Sequence, residues 1–126
     1  MKLRCTQNSI RIRVRKSDLH SLAQEKVIRE HVHIGKDEVF WFELAITDNA
    51  DIDVRFQGGG LRVMLPVEQA AAWMESQQVG MEYARPVEGE EVLHVLIEKD
   101  FPCLDRENED KSDTFFELSP NQADAC

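Results

Sequence analysis

Apolar and polar residues alternate along most of the first hundred positions, and two short stretches replace that alternation with a helical repeat. Period-2 alternation marks a strand with one face buried. In the stretch from about 9 to 15 it sets Ile10, Ile12 and Val14 against Arg11, Arg13 and Arg15. Leu3 to Cys5 either begins that strand or pairs beside it, with a bend at Asn8-Ser9. A helix follows over about 17–25, with Ser17 as the expected cap and Leu19, Leu22 and Ala23 as its apolar stripe. Strands are then expected over about 27–34 and 38–47, joined by a Gly35-Lys36-Asp37 turn. In the first, Glu30 interrupts the apolar side, which predicts one exposed end. In the second, Phe40, Phe42, Leu44 and Ile46 oppose Val39, Trp41, Glu43 and Ala45.

The order then echoes. Strands over about 52–57 and 61–65 are linked by Gly58-Gly59-Gly60, which reads as a hairpin turn and lacks the Lys-Ser/Thr of a phosphate loop. Pro66 opens a helix over about 67–76 whose stripe reads Val67, Ala70, Ala71 and Met74. Strands over about 79–85 and 92–98 close the pattern. The layout predicts an α+β fold: a mainly antiparallel, strongly curved sheet or small barrel with two short helices. It is built from duplicated strand-helix-strand-strand units at about 9–47 and 52–98. Residues 1–99 read as one domain. From 100 to 126 acids, Asn, Ser and Pro dominate, a composition expected of a partly disordered tail. Phe101, Phe115 and Phe116 interrupt it and are candidates, with Trp41, for contact with a partner.

Charge adds a second layer. The net charge is −9. Residues 1–16 hold six basic side chains and no acid, whereas 98–126 hold nine acids and three bases. An acidic chain is repelled by nucleic acid at long range, which argues against a nucleic-acid partner. No run reaches the roughly 20 apolar residues of a membrane helix. No apolar stretch follows the first residues, so no signal peptide is expected, and a cytoplasmic protein is. Cys5, Cys103 and Cys126 have neither zinc nor disulfide spacing.

Arg11, Arg13, Arg15 and Lys16 form the leading candidate for chemistry. Alternate residues of a strand lie about 7 Å apart on one face. Guanidinium forks so spaced suit phosphate, carboxylate or the acidic tail itself. The competing reading is a solvated face, or a stripe paired with acids of a neighbouring strand. His31 and His33 share one side of a strand and would supply two metal ligands, with no complete motif around them. Cys103 sits among acids, which disfavour a reactive thiolate. No catalytic constellation or cofactor motif is legible. The chain reads as a non-catalytic module binding an unknown protein or itself; the rival reading is a binder of small anions, enzymatic or not, at the arginine stripe.

The start Met1-Lys2-Leu3-Arg4 with Asn8-Ser9-Ile10-Arg11-Ile12-Arg13-Val14, and the later run Glu98-Lys99-Asp100-Phe101-Pro102-Cys103-Leu104, resemble a family of small uncharacterised bacterial proteins. The resemblance spans most of the chain, implies bacterial origin and carries no assigned activity. This chain departs from it near the end, with Phe115-Phe116-Glu117-Leu118 in place of a Phe-Pro-Asn-Pro run. More locally, 61–98 is similar to an AbrB-type swapped-hairpin half. Those domains dimerise and bind DNA through basic residues, whereas this segment sets Arg62 and Arg85 against Glu68, Glu75, Glu82, Glu88, Glu90 and Glu91. The likeness therefore implies shape only.

Overall fold

The computed structural model describes residues 1–101, 113 and 115–118. The chain runs β1 (Lys2–Thr6), β2 (Ser9–Val14), α1 (Lys16–Glu25), β3 (Val27–Gly35), β4 (Glu38–Thr47), β5 (Asp53–Gln57), β6 (Gly60–Pro66), α2 (Val67–Met74), β7 (Gly80–Pro86) and β8 (Val92–Lys99). A 3-10 turn lies at Phe116–Leu118. Most of the acidic carboxy-terminal stretch, Cys103 included, lies outside the described residues.

Hairpin, helix, hairpin occurs twice in succession. The strand at Lys2–Thr6 is separate from β2 and pairs beside it, so each half opens with a hairpin. The hairpins then exchange. One four-stranded sheet has the order β1-β2-β8-β7 and the other β3-β4-β6-β5. Each sheet thus takes one hairpin from each half. Within hairpins the pairing is antiparallel, while β2 with β8 and β4 with β6 are parallel. The fold is α+β, as the alternation implies. The small closed barrel that the pattern also allowed does not form: the strands divide into two mixed sheets.

Local chemistry sets the connections. The β5–β6 turn uses Gly58 and Gly59, both at positive φ, the conformation a two-residue turn needs to match strand twist. Lys26 ends α1 in the left-handed region, its N–H donating to the Leu22 carbonyl at 2.9 Å. The start of α1 departs from expectation. Arg15, not Ser17, is the flanking residue, because the Asp18 carboxylate accepts the Arg15 N–H at 2.8 Å and fixes the first turn one step earlier. The Met1 ammonium lies 3.1 Å from the same carboxylate.

One core joins both sheets and both helices. Ile10 and Ile12 of β2 stand opposite Val95 and Ile97 of β8 in register, and Leu44 of β4 opposite Val63 of β6; Val14 is buried one row further along β2. Leu22 from α1 and Ala70 and Trp73 from α2 complete it, all fully buried. Burying one such Leu or Ile contributes about 1.5–3 kcal/mol. Here α2 also corrects its expected stripe: Val67 is exposed and Trp73 is buried. The indole needs the small Ala70 one turn earlier, and its Nε1–H donates to the Val79 carbonyl at 3.0 Å, so no buried donor is left unpaired.

Two outcomes follow from this packing. Leu44→Ala should lower stability by about 2–5 kcal/mol, whereas Val87→Ala, on an exposed loop, should stay within about 0.5 kcal/mol; urea unfolding separates them. Burial pushes the Asp18 carboxyl up, but the Arg15 N–H, the Met1 ammonium and the Arg15 guanidinium together outweigh it and hold the carboxyl below its ordinary value. That contribution is present above the unfolded value of about 4 and is lost as pH falls through the lower folded value. Asp18→Asn should therefore flatten the acid limb of a stability–pH profile.

Candidate functional site

Sheet register turns the sequence into rows. On the face of the second sheet opposite Phe42 and Leu44, Arg29 stands beside Glu43, Glu43 beside Arg62, and Arg62 beside Arg55. The next row holds His31, Trp41, Gly60 and Gln57; the row on the other side holds Val27, Ala45, Met64 and Asp53. Four strands thus lay Arg, Glu, Arg and Arg in one line.

Glu43 is the buried charge of this face, its side chain 5% exposed. Arg29 donates to Oε1 from Nη2 at 2.8 Å and from Nε at 3.1 Å, and Arg62 Nε donates to Oε2. Both carboxylate oxygens are therefore satisfied, as a buried anion requires. Arg29 also stacks on Trp41, its guanidinium carbon 4.5 Å from the ring centroid. Trp41 can lie across the neighbouring strand only because residue 60 is glycine: a Cβ there would fall within the indole. Its Nε1–H points to the Gly58 carbonyl at 3.3 Å.

Next to this line, Asp53 holds two further arginines. Arg55 Nε donates to Oδ2 at 2.9 Å, and Arg85 Nη1 reaches Oδ1 at 3.3 Å and the Val54 carbonyl at 3.0 Å. An open cleft of about 610 Å³ lies over this face, lined by Trp41, Asn49, Asp53, Arg55, Gln57, Arg62 and Met64. It combines two guanidiniums, one carboxylate, two side-chain amides and two soft apolar surfaces. That mixture orients a small polar ligand.

The arginine stripe of the first sheet sits differently. Arg11 and Arg13 converge on one oxygen of Glu98 in the parallel neighbour β8, with Nε at 3.5 and 2.7 Å. Lys2 pairs with Asp100 at 3.2 Å. Arg15 and Lys16 are exposed at the start of α1. The stripe therefore divides: two members bind a neighbouring acid and two face solvent at a helix end. His31 and His33 are exposed on β3 with their rings stacked 6.5 Å apart. Among the described residues no group of three or more His, Cys, Asp or Glu side chains is placed to hold a metal ion. Phe101 and Phe115 are exposed, and the Phe116 side chain lies outside what is described.

Glu43, Arg29, Arg55 and Arg62 did not stand out in the linear sequence. The signal available was a lone acid within the apolar run Val39 to Ile46, together with one arginine on each neighbouring strand. Only register brings the three to one point.

A family model described as Family of unknown function (DUF7009) matches residues 1–119, and the chain belongs to that family. No curated protein and no solved structure matches it. No helix among the described residues is long and apolar enough to cross a membrane.

Replacing Glu43 by Gln keeps the shape but removes the charge that binds two guanidiniums. Arg29 and Arg62 are both solvent-accessible, so their loss is partly screened, and about 1–3 kcal/mol of stability should disappear. Urea unfolding at low and high salt checks this: the gap between wild type and Glu43→Gln should narrow as salt rises.

Proposed function

We propose that this protein is a non-catalytic binding module that works through protein–protein contacts at the turn end of its second sheet. The observation that supports the reading is a projecting apolar ribbon. Parallel pairing of β4 with β6 begins only at Trp41, while β3 and β4 continue their hairpin beyond it. Residues 32–40 therefore extend past the third strand. Val32 is 44% exposed and Ile34 67%, and at the same end of the sheet, on the opposite edge strand, Phe56 is 74% exposed. Large apolar side chains grouped at one end of a small domain mark an interaction surface.

β3 is also the edge of its sheet. Among the described residues the outer edge of the nine-residue β3 is unpaired and offers backbone groups to a partner strand, and the exposed Val32 and Ile34 would select it. Trp41, Phe101 and Phe115 are further anchor candidates on the same reasoning. The partner is another protein or a second copy of this chain, and the expected compartment is the cytoplasm.

Anion binding at Arg11, Arg13, Arg15 and Lys16 is the alternative role, supported by two guanidiniums sharing the single Glu98 carboxylate. It is the weaker reading, because that carboxylate already engages both side chains.

The test is a paired variant. Val32→Lys with Phe56→Glu should leave the melting temperature within a few degrees, since both side chains are exposed. It should also abolish a complex seen with the wild type, whether with a captured protein or as a dimer in light scattering. On complex formation, amide exchange should slow at residues 31–35. A wild type that stays monomeric and captures nothing, or a complex indifferent to both substitutions, would refute the proposal.

A further inference from the structure

The face of the second sheet opposite that apolar surface carries an unbalanced charge. Four guanidiniums, from Arg29, Arg55, Arg62 and Arg85, share two carboxylates, Glu43 and Asp53. Two positive charges remain in surplus in a chain whose net charge is −9. The surplus is concentrated where Arg55 and Arg62 stand directly opposite each other on adjacent antiparallel strands. Like charges in that position repel, so the pair costs stability until an anion lies between them.

The geometry of each arginine fits that role. Arg62 engages Glu43, and Arg55 engages Asp53, through Nε. Among the described residues no hydrogen bond uses the terminal nitrogens of either, which leaves the outer guanidinium edges facing the cleft. Those edges are the part that grips an oxyanion with two parallel N–H donors. Around them the cleft supplies Trp41 and Met64 as soft walls, Asn49 and Gln57 as amides, and the Asp53 carboxylate, which Arg55 and Arg85 neutralise.

We propose that this cleft binds a small phosphomonoester. Its phosphoryl group sits between Arg55 and Arg62, and its organic part lies against Trp41 and Met64. A phosphomonoester carries about −1.5 to −2 charges at neutral pH, and its three terminal oxygens suit the two forks of Arg55 and Arg62. A carboxylate carries one charge and two oxygens, and suits one fork.

The two tryptophans make the proposal readable. Trp41 lies in the cleft, whereas Trp73 is fully buried in the core. In nitrogen–proton correlation spectra of the full chain at constant ionic strength, phenyl phosphate should move the Trp41 indole signal saturably and leave that of Trp73 in place. Inorganic phosphate should act at the same residues more weakly, and benzoate more weakly than phenyl phosphate. Arg55→Gln should raise the dissociation constant about tenfold. It should not lower the melting temperature, because relief of the Arg55–Arg62 repulsion offsets the lost exposed ion pair with Asp53. Arg4→Gln, on the first sheet, should leave binding untouched. Benzoate binding as tightly as phenyl phosphate would overturn the phosphoryl assignment. A Trp41 signal that does not saturate, or binding insensitive to Arg55→Gln, would overturn the site itself.

Discussion

Two parallel strand pairs hold this molecule together. β2 lies along β8 and β4 along β6, and in each case the strands come from different halves of the chain. A lone hairpin is marginal in water, and so neither half has a complete sheet without the other. The core follows the same division: Ile10 and Ile12 close on Val95 and Ile97, and Leu44 on Val63. Stability is therefore pooled between the halves, and the contacts that create it are distant in sequence. Such a chain forms its defining pairs late, after loop closure has brought the halves together.

Exchange of hairpins also determines what each outer face can do. Both opening hairpins place two arginines opposite each other, Arg4 with Arg11 and Arg55 with Arg62. What differs is the acid brought by the parallel neighbour. In the first sheet Leu96 stands beside Arg11, and Glu98 one row away draws in both Arg11 and Arg13. In the second sheet Glu43 stands beside Arg62 in the same row and fixes it from the side, leaving the Arg55–Arg62 pair at the mouth of a cleft. The same local sequence device thus gives a mutually paired stripe on one sheet and a ligand-facing pair on the other.

Much of this fold can be read from alternation, and the failures are informative. The strand spans read from Ile10-Val14, Phe40-Ile46, Leu61-Leu65 and Leu93-Ile97 agree closely with β2, β4, β6 and β8, since burial of one face leaves a period of two. Alternation names the face of a residue but not its neighbour. Parallel pairing across the halves is therefore invisible in the sequence, and alternation fits a closed barrel as well as one curved sheet. In α2 Ala70 is buried and Ala71 and Met74 are half-buried, as the spacing reads, but Val67 is exposed and Trp73, outside that spacing, is buried. Arg11 and Arg13 were legible as a stripe, but their partner Glu98 was not. The Arg29–Glu43–Arg62–Arg55 row was hidden for the same reason: it exists only after four strands are aligned.

That row also explains how the alignment is chosen. A slip of one residue between β4 and its neighbours would turn Phe42 and Leu44 outward, and the hydrophobic effect forbids it. A slip of two preserves every inward and outward assignment, so hydrophobicity alone cannot exclude it. Charge and shape do. Moving β6 by two residues in one direction would place Arg62 beneath Trp41, where glycine alone leaves room for the indole. Moving it the other way would set Gly60 beside Glu43 and leave the buried carboxylate with Arg29 as its remaining partner. Glu43 is a costly residue to bury and an apolar one would pack as well, but an apolar one would accept either register. The ion row and the Trp41–Gly60 contact exclude complementary errors, and together they define the surface on which Arg55 and Arg62 meet.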